Sequence, residues 1–269
     1  MAAIAPAPTT SSAGSAPLPR PASAPIARSV EIRDVGTVRR DSVDADRWTA
    51  RGTVKVTGDV TVREGELDGT VSIGGKLTAD RLDSRGMLDV EGSVDVSGKF
   101  RGSGEFHTAL AMHAGDAEFR GTTRATGPLS VDRSLTVRGS LTAPAVTAGS
   151  LRLEGEAQVP GEIVALSVSA RFSSDSSLGT VRAASVVLHG KVTNLIDKVL
   201  GRLVRVTVRR VEGDSVDLKS VDVQFVRAPK ITLGRDAHIT EYEGTIVRRH
   251  PSSRVGFESR SRAPYGLSR

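Results

Sequence analysis

Three stretches of this chain repeat one layout at a fixed interval, and that repeat limits the folds open to it more than any other feature. "GTVKVTGDVTV" begins at Gly52, "GTVSIGGKLTA" at Gly69 and "GMLDVEGSVDV" at Gly86, each 17 residues after the last. Val54, Val71 and Leu88 fall in one column, Val56, Ile73 and Val90 in a second, Val60, Leu77 and Val94 in a third, and Gly58, Gly75 and Gly92 in a fourth. Further on, Leu135, Val137 and Gly139 match Leu151, Leu153 and Gly155 at an interval of 16. A period this short, made of two- or three-residue apolar alternations broken by glycine, suits one turn of a β-solenoid. Propeller blades and helical repeats are longer.

The expected fold is all-β: a single-stranded β-helix of about 17 residues per turn, each turn holding about three short strands. Inward positions carry Val, Leu, Ile and Ala, which stack on their equivalents about 4.8 Å away in the next turn. Outward positions carry Thr, Ser, Asp, Lys and Arg. Gly58 is read as a corner, where the missing Cβ admits backbone angles that other residues resist. A sandwich of hairpins is the competing fold, but it needs no column-by-column identity between units, and few Asn-Gly or Asp-Gly turns separate the alternations. Aromatics are 3 % of the chain, with one Trp, so small aliphatic side chains are expected to fill the interior.

The chain divides into three parts. Residues 1–48 hold six of the 12 prolines among Ala, Ser and Thr and are expected to be disordered, because such a segment buries too little apolar area to offset its ordering entropy. Residues 49–246 are expected to form the solenoid. Residues 247–269 lack periodicity, and from Thr245 onward six arginines face the single Glu258, so a basic, disordered tail is expected there. The formal charge of +6 thus sits mostly at the C-terminus. One stretch departs from alternation: in "NLIDKVLGRL", Leu195, Ile196, Val199, Leu200 and Leu203 share a side at helical spacing behind Asn194, which predicts a short amphipathic helix over 194–203.

Motifs for chemistry fail one by one. "GGKL" at residues 74–77 has Thr70 where a phosphate loop needs its first glycine and Leu77 where it needs a hydroxyl. "GSGEFH" from Gly102 has His107 where a dinucleotide fingerprint needs its last glycine. No Gly-x-Ser-x-Gly elbow occurs, and the histidines at 107, 113, 189, 238 and 250 form no His-x-x-x-His pair. The chain has no cysteine, which excludes disulfides and thiolate metal sites. Asp59, Asp68, Asp89 and Asp95 alternate with Lys and Arg at outward positions, as a solvated face requires. The reading is therefore of a protein that is not an enzyme and uses no cofactor. A nucleic-acid partner is not expected, since the basic tail offers only Phe257 and Tyr265 for stacking. No apolar run approaches the roughly 20 residues of a membrane span. The N-terminus lacks the pattern of a secretory signal, so the chain is expected in the cytoplasm, where Met1 and Ile4 offer a weak contact to a membrane surface.

A compact, glycine-punctuated solenoid between a Pro-rich N-tail and a short C-tail, with "VEGDSVDLKSVDVQFVRAPKITLGRDAHI" late in the chain, resembles the bactofilins, the polymer-forming cytoskeletal proteins. The similarity covers roughly residues 51–246, and the spacing from Gly213 to Gly234 is its most telling part. The resemblance implies a right-handed β-helix that joins end to end into nucleotide-free filaments, often at the inner face of the membrane, as a scaffold for itself and for client proteins. Here the repeat region is longer than in the simplest members, and the predicted helix interrupts it. Solenoid ends carry unpaired backbone groups and exposed core columns. The first turn, with Val54 and Val56, and the last, with Ile239 and Tyr242, are the expected polymer contacts. The competing function is a left-handed β-helix acyltransferase, similar in rhythm alone: no catalytic histidine by an excursion loop and no acyl-CoA groove can be assigned. An extracellular β-helical adhesin would require export signals that the sequence does not display.

Overall fold

The computed structural model describes residues 30–191 and 205–259. They form a β-solenoid of about 13 turns with about 17 residues per turn, entirely parallel and, among the described residues, without a helix. In chain order the strands are β1 (Glu31–Arg40), β2 (Val43–Val56), β3 (Val60–Ile73), β4 (Leu77–Val90), β5 (Val94–Thr108), β6 (Met112–Ala125), β7 (Leu129–Thr142), β8 (Val146–Phe172), β9 (Ser176–Gly190), β10 (Val206–Glu212), β11 (Ser215–Lys219), β12 (Asp222–Leu233), β13 (His238–Arg249) and β14 (Arg254–Glu258). Each strand between β1 and β14 pairs with the turn above and below, and β10 and β11 share one turn between β9 and β12. At about 4.8 Å per turn the rod is roughly 60 Å long.

The strands bend twice within a turn and so trace three faces. In β2 these are face A (43–45), face B (48–50) and face C (54–56), met in that order along the chain. The columns read from the sequence are present: Val54 pairs with Val71 and Val71 with Leu88, and the Val56 and Val60 columns follow the same register. Leu135 likewise pairs with Leu151 and Gly139 with Gly155. One-residue bulges near residues 80, 97, 115 and 132 absorb the drift between intervals of 16, 17 and 18. Between β9 and β10 the offset rises to 30 residues. The predicted helix falls in that insertion, and 192–204 lie outside the described residues.

Two glycine ladders mark the corners, for different reasons. Gly58 does not take a left-handed backbone; a Cβ there would lie 2.7 Å from the Asp41 carbonyl oxygen, so what the corner demands is space. The left-handed angles belong to the glycine that opens each repeat. From Gly36 through Gly52, Gly69, Gly86, Gly104, Gly121 and Gly139 to Gly155, eight glycines pair in register at the corner between faces B and C, all with positive φ. A side chain at any but the first would collide with the glycine carbonyl one turn below.

The interior is aliphatic over most of its length but includes aromatics where neighbours make room. On face B, Trp48 sits beside Ala50, Gly65 beside Leu67, Leu82 beside Ser84, Phe100 beside Gly102 and Ala117 beside Phe119, a large residue matched to a small one in each turn. A Cβ on Gly102 would come within 2.6 Å of the Phe119 ring, and one on Gly65 within 2.8 Å of Leu82. Phe100 meets Phe106 and Phe119 edge-on at centroid distances of 5.0 and 4.9 Å. The expectation of an aliphatic interior fails in these turns and again at Phe172, because small neighbours make room for the few aromatics.

Candidate assembly surfaces

The ends of the coil lie further out than the alternation predicts. The first turn begins at Ile32, inside the segment assigned to a disordered tail, and β14 reaches Glu258, inside the expected C-terminal tail. Both end turns escape the hydrophobic pattern for one reason: their inward positions carry charge. Asp34 stacks on Ala50 and Arg40 on Val56 at one end. At the other, Arg249 stacks on Leu233 and Glu258 on Tyr242.

The residues expected at the polymer contacts are therefore displaced inward. Val54 and Val56 belong to the second turn, lie between Val38 and Arg40 on one side and Val71 and Ile73 on the other, and are 1 % and 0 % exposed. Ile239 is fully buried between Val223 and Val255. Tyr242, half-buried against Val226, is covered by β14 at Glu258. Charge at Val54 or Ile239 would break the core before it reached an interface. Met1 and Ile4 lie outside the described residues.

The N-terminal turn holds a polar plug. Asp34 is 3 % exposed and accepts hydrogen bonds from Arg40 Nε at 2.8 Å and Nη2 at 2.7 Å, and from Trp48 Nε1 at 2.9 Å. The Arg40 guanidinium, with a lesser part from the Trp48 indole, holds the Asp34 carboxyl below the usual carboxylate range even though burial opposes it. The indole roofs the column below, while Ile32 and Val38 remain only partly buried beside the ion pair. The sequence signal was present as alternation in which two inward letters are charged, "IRDVGTVRR".

The C-terminal end is more open. Ile246 and Val255 are partly buried, while Val247 and Phe257 are 65 % and 64 % exposed. Val247 is extruded by a register shift in β13. Arg249 crosses the end face, its Nη2 donating to the Ser253 carbonyl at 3.2 Å. At both ends one strand edge lacks a neighbour within the described chain, so its backbone groups face outward.

Along the flanks, acids and bases meet across turns, as in Arg133 with Asp116 and Arg182 with Glu212. Four histidines stand against aspartates of an adjacent turn: His107 by Asp89, His189 by Asp217, His238 by Asp222, and His113 between Asp95 and Asp132. The two carboxylates, Asp132 foremost, raise the His113 pKa above its ordinary value. Among the described residues no group of three or more His, Asp or Glu has the arrangement of a metal site, and no helix is long and apolar enough to cross a membrane. Compared with family models, with curated proteins and with solved structures, the chain matches none of them. A β-solenoid of this form is compatible with a β-helix scaffold.

Proposed function

We propose that this protein is a non-enzymatic, bactofilin-like scaffold whose copies stack end to end without nucleotide, in the cytoplasm or on a membrane surface, and present regular flanks to client proteins. One observation carries the reading: the two ends continue each other's columns. The described coil opens on face B with Ile32 and Asp34 and closes on face A with Tyr242 and Glu258. Placing the first turn of one copy on the last turn of another sets Ile32 on Ile246 and Asp34 over Arg249, an apolar match and an opposite-charge match. The partly buried Val38 then covers the Ser253 position, and the free strand edges acquire partners of the parallel type used throughout the rod. Charged inward residues favour this one register over sliding, since a misplaced stack would bury Arg249 without a carboxylate opposite it.

Electron microscopy of the purified, nucleotide-free protein tests the proposal. Filaments are expected from the natural chain. The variant Ile246→Arg with Arg249→Glu should keep its β circular dichroism and its single-rod size but form none. Filaments of normal length from that variant, or single rods alone from the natural chain, would contradict the reading.

A further inference from the structure

Face B of the second to sixth turns is indented by a groove of about 600 Å³. Its walls are the two outward columns of the face, and its floor is low because Ser84 and Gly102 supply the inward positions there. The charge along it is polarised. The half nearer the N-terminal end carries Glu66, Asp68 and Asp83 against Arg51 and Arg85, while the other half carries Arg101 and Arg120 against Glu118. Glu66 is engaged by Arg47 at 2.9 Å and Glu118 by Arg120 at 3.0 Å. Among the described residues, Asp68 and Asp83 are in no ion pair within 4.0 Å. Neither carboxylate is held in a salt bridge, although Asp68 stands in register between Arg51 and Arg85 and Asp83 beside Arg101.

We propose that the acidic half of this groove receives the arginines just beyond the coil, Arg260 and Arg262, of the neighbouring copy; the inference rests on the end-to-end stack above. The course of the chain points there. Every turn runs from face A to face B, and Ser259, whose N–H donates to the Tyr242 carbonyl, follows the end of the last strand on face A. Continued in the same sense past Ser259, this course leads to face B, the face that bears the groove. The chain's own acidic half is out of reach: it lies nine to ten turns back, about 43–48 Å, whereas the three residues from Ser259 to Arg262 span at most about 11 Å. On a copy stacked above, the third turn with Glu66 and Asp68 lies only about 14 Å beyond the last turn, a distance that chain and an arginine side chain cover together. The contact is a clasp in trans, placing basic residues of one copy against unpaired acids of the next.

The absence of cysteine makes the test direct. Chains carrying Ser261→Cys are mixed with chains carrying Thr49→Cys, an outward groove position, and treated with a short bismaleimide. A cross-linked pair of twice the chain mass is expected. Reversing the acids with Asp68→Lys and Asp83→Lys should reduce it at least tenfold, as should 0.5 M salt, which screens exposed charges within a few ångströms. Filaments that form without this cross-link would overturn the clasp and leave the stacking intact; if no filaments form, stacking and clasp fall together. A stronger cross-link when Ser11→Cys replaces Ser261→Cys would assign the groove to the N-terminal segment and equally overturn the proposal.

Discussion

Thr123 shows what a solenoid interior asks of a single side chain. It occupies the face C column between Phe106 and Leu141, 1 % exposed, and its hydroxyl has no hydrogen-bond partner. Leaving that group unsatisfied costs about 1–3 kcal/mol. Thr123→Val, equal in shape, should therefore stabilise the fold by about 1 kcal/mol, seen as a higher Tm; a lower Tm would mean that the hydroxyl is satisfied after all. His113 gives the pH dependence. Its pKa is raised on folding by Asp132 and Asp95, so its stabilising contribution is complete below the unfolded value of 6.5 and fades as pH rises through the folded value. Because the ring is nearly half exposed the effect is small, a few tenths of a kcal/mol. The natural chain should lose about 1 °C more of Tm than His113→Gln between pH 5.5 and 8, and parallel curves would remove His113 from the account. Residues of this kind differ in legibility. The Val54 column announces itself by repetition, whereas the left-handed demand on Gly69 and the space demand on Gly58 look the same as letters and separate only when the backbone is traced.

Turns rather than strands are the elements of this molecule, and the terminal ones behave differently from those between. In the middle of the rod every inward position is apolar or small, so the alternation reads directly as structure. At the ends Asp34, Arg40, Arg249 and Glu258 stand inward, and a reading that equates inward with apolar stops one turn short on each side. The N-terminal plug is also the best place to test a turn alone. Asp34→Ala leaves Arg40 and the Trp48 indole without their shared acceptor, and because Arg40 stays partly in water the loss is about 1–2 kcal/mol. Since Trp48 is the chain's one tryptophan, the loss should appear as a red-shifted emission at temperatures where the β circular dichroism is unchanged. An unshifted spectrum would show that the turn stays closed without its plug. Cooperation between neighbouring turns predicts this local response, because each turn contacts only those beside it.

At the scale of the whole molecule, the repeat alone specified a narrow parallel cylinder, and the structure adds where that cylinder stops. The open ends were legible in kind, but Val54, Val56 and Ile239, expected there, lie within the core, because the charged turns beyond them break the apolar alternation. No inspection of spacing would show that the coil opens on face B and closes on face A, since faces exist only once the turns are stacked. The proposed stack rests on that phase match. Fibre diffraction from oriented, nucleotide-free assemblies measures it most directly. The account predicts a sharp reflection near 4.8 Å along the filament axis, with an axial repeat of roughly 62 Å for 13 turns. Rods about 60 Å long that never lengthen with concentration, or filaments whose 4.8 Å spacing runs across the axis, would contradict it.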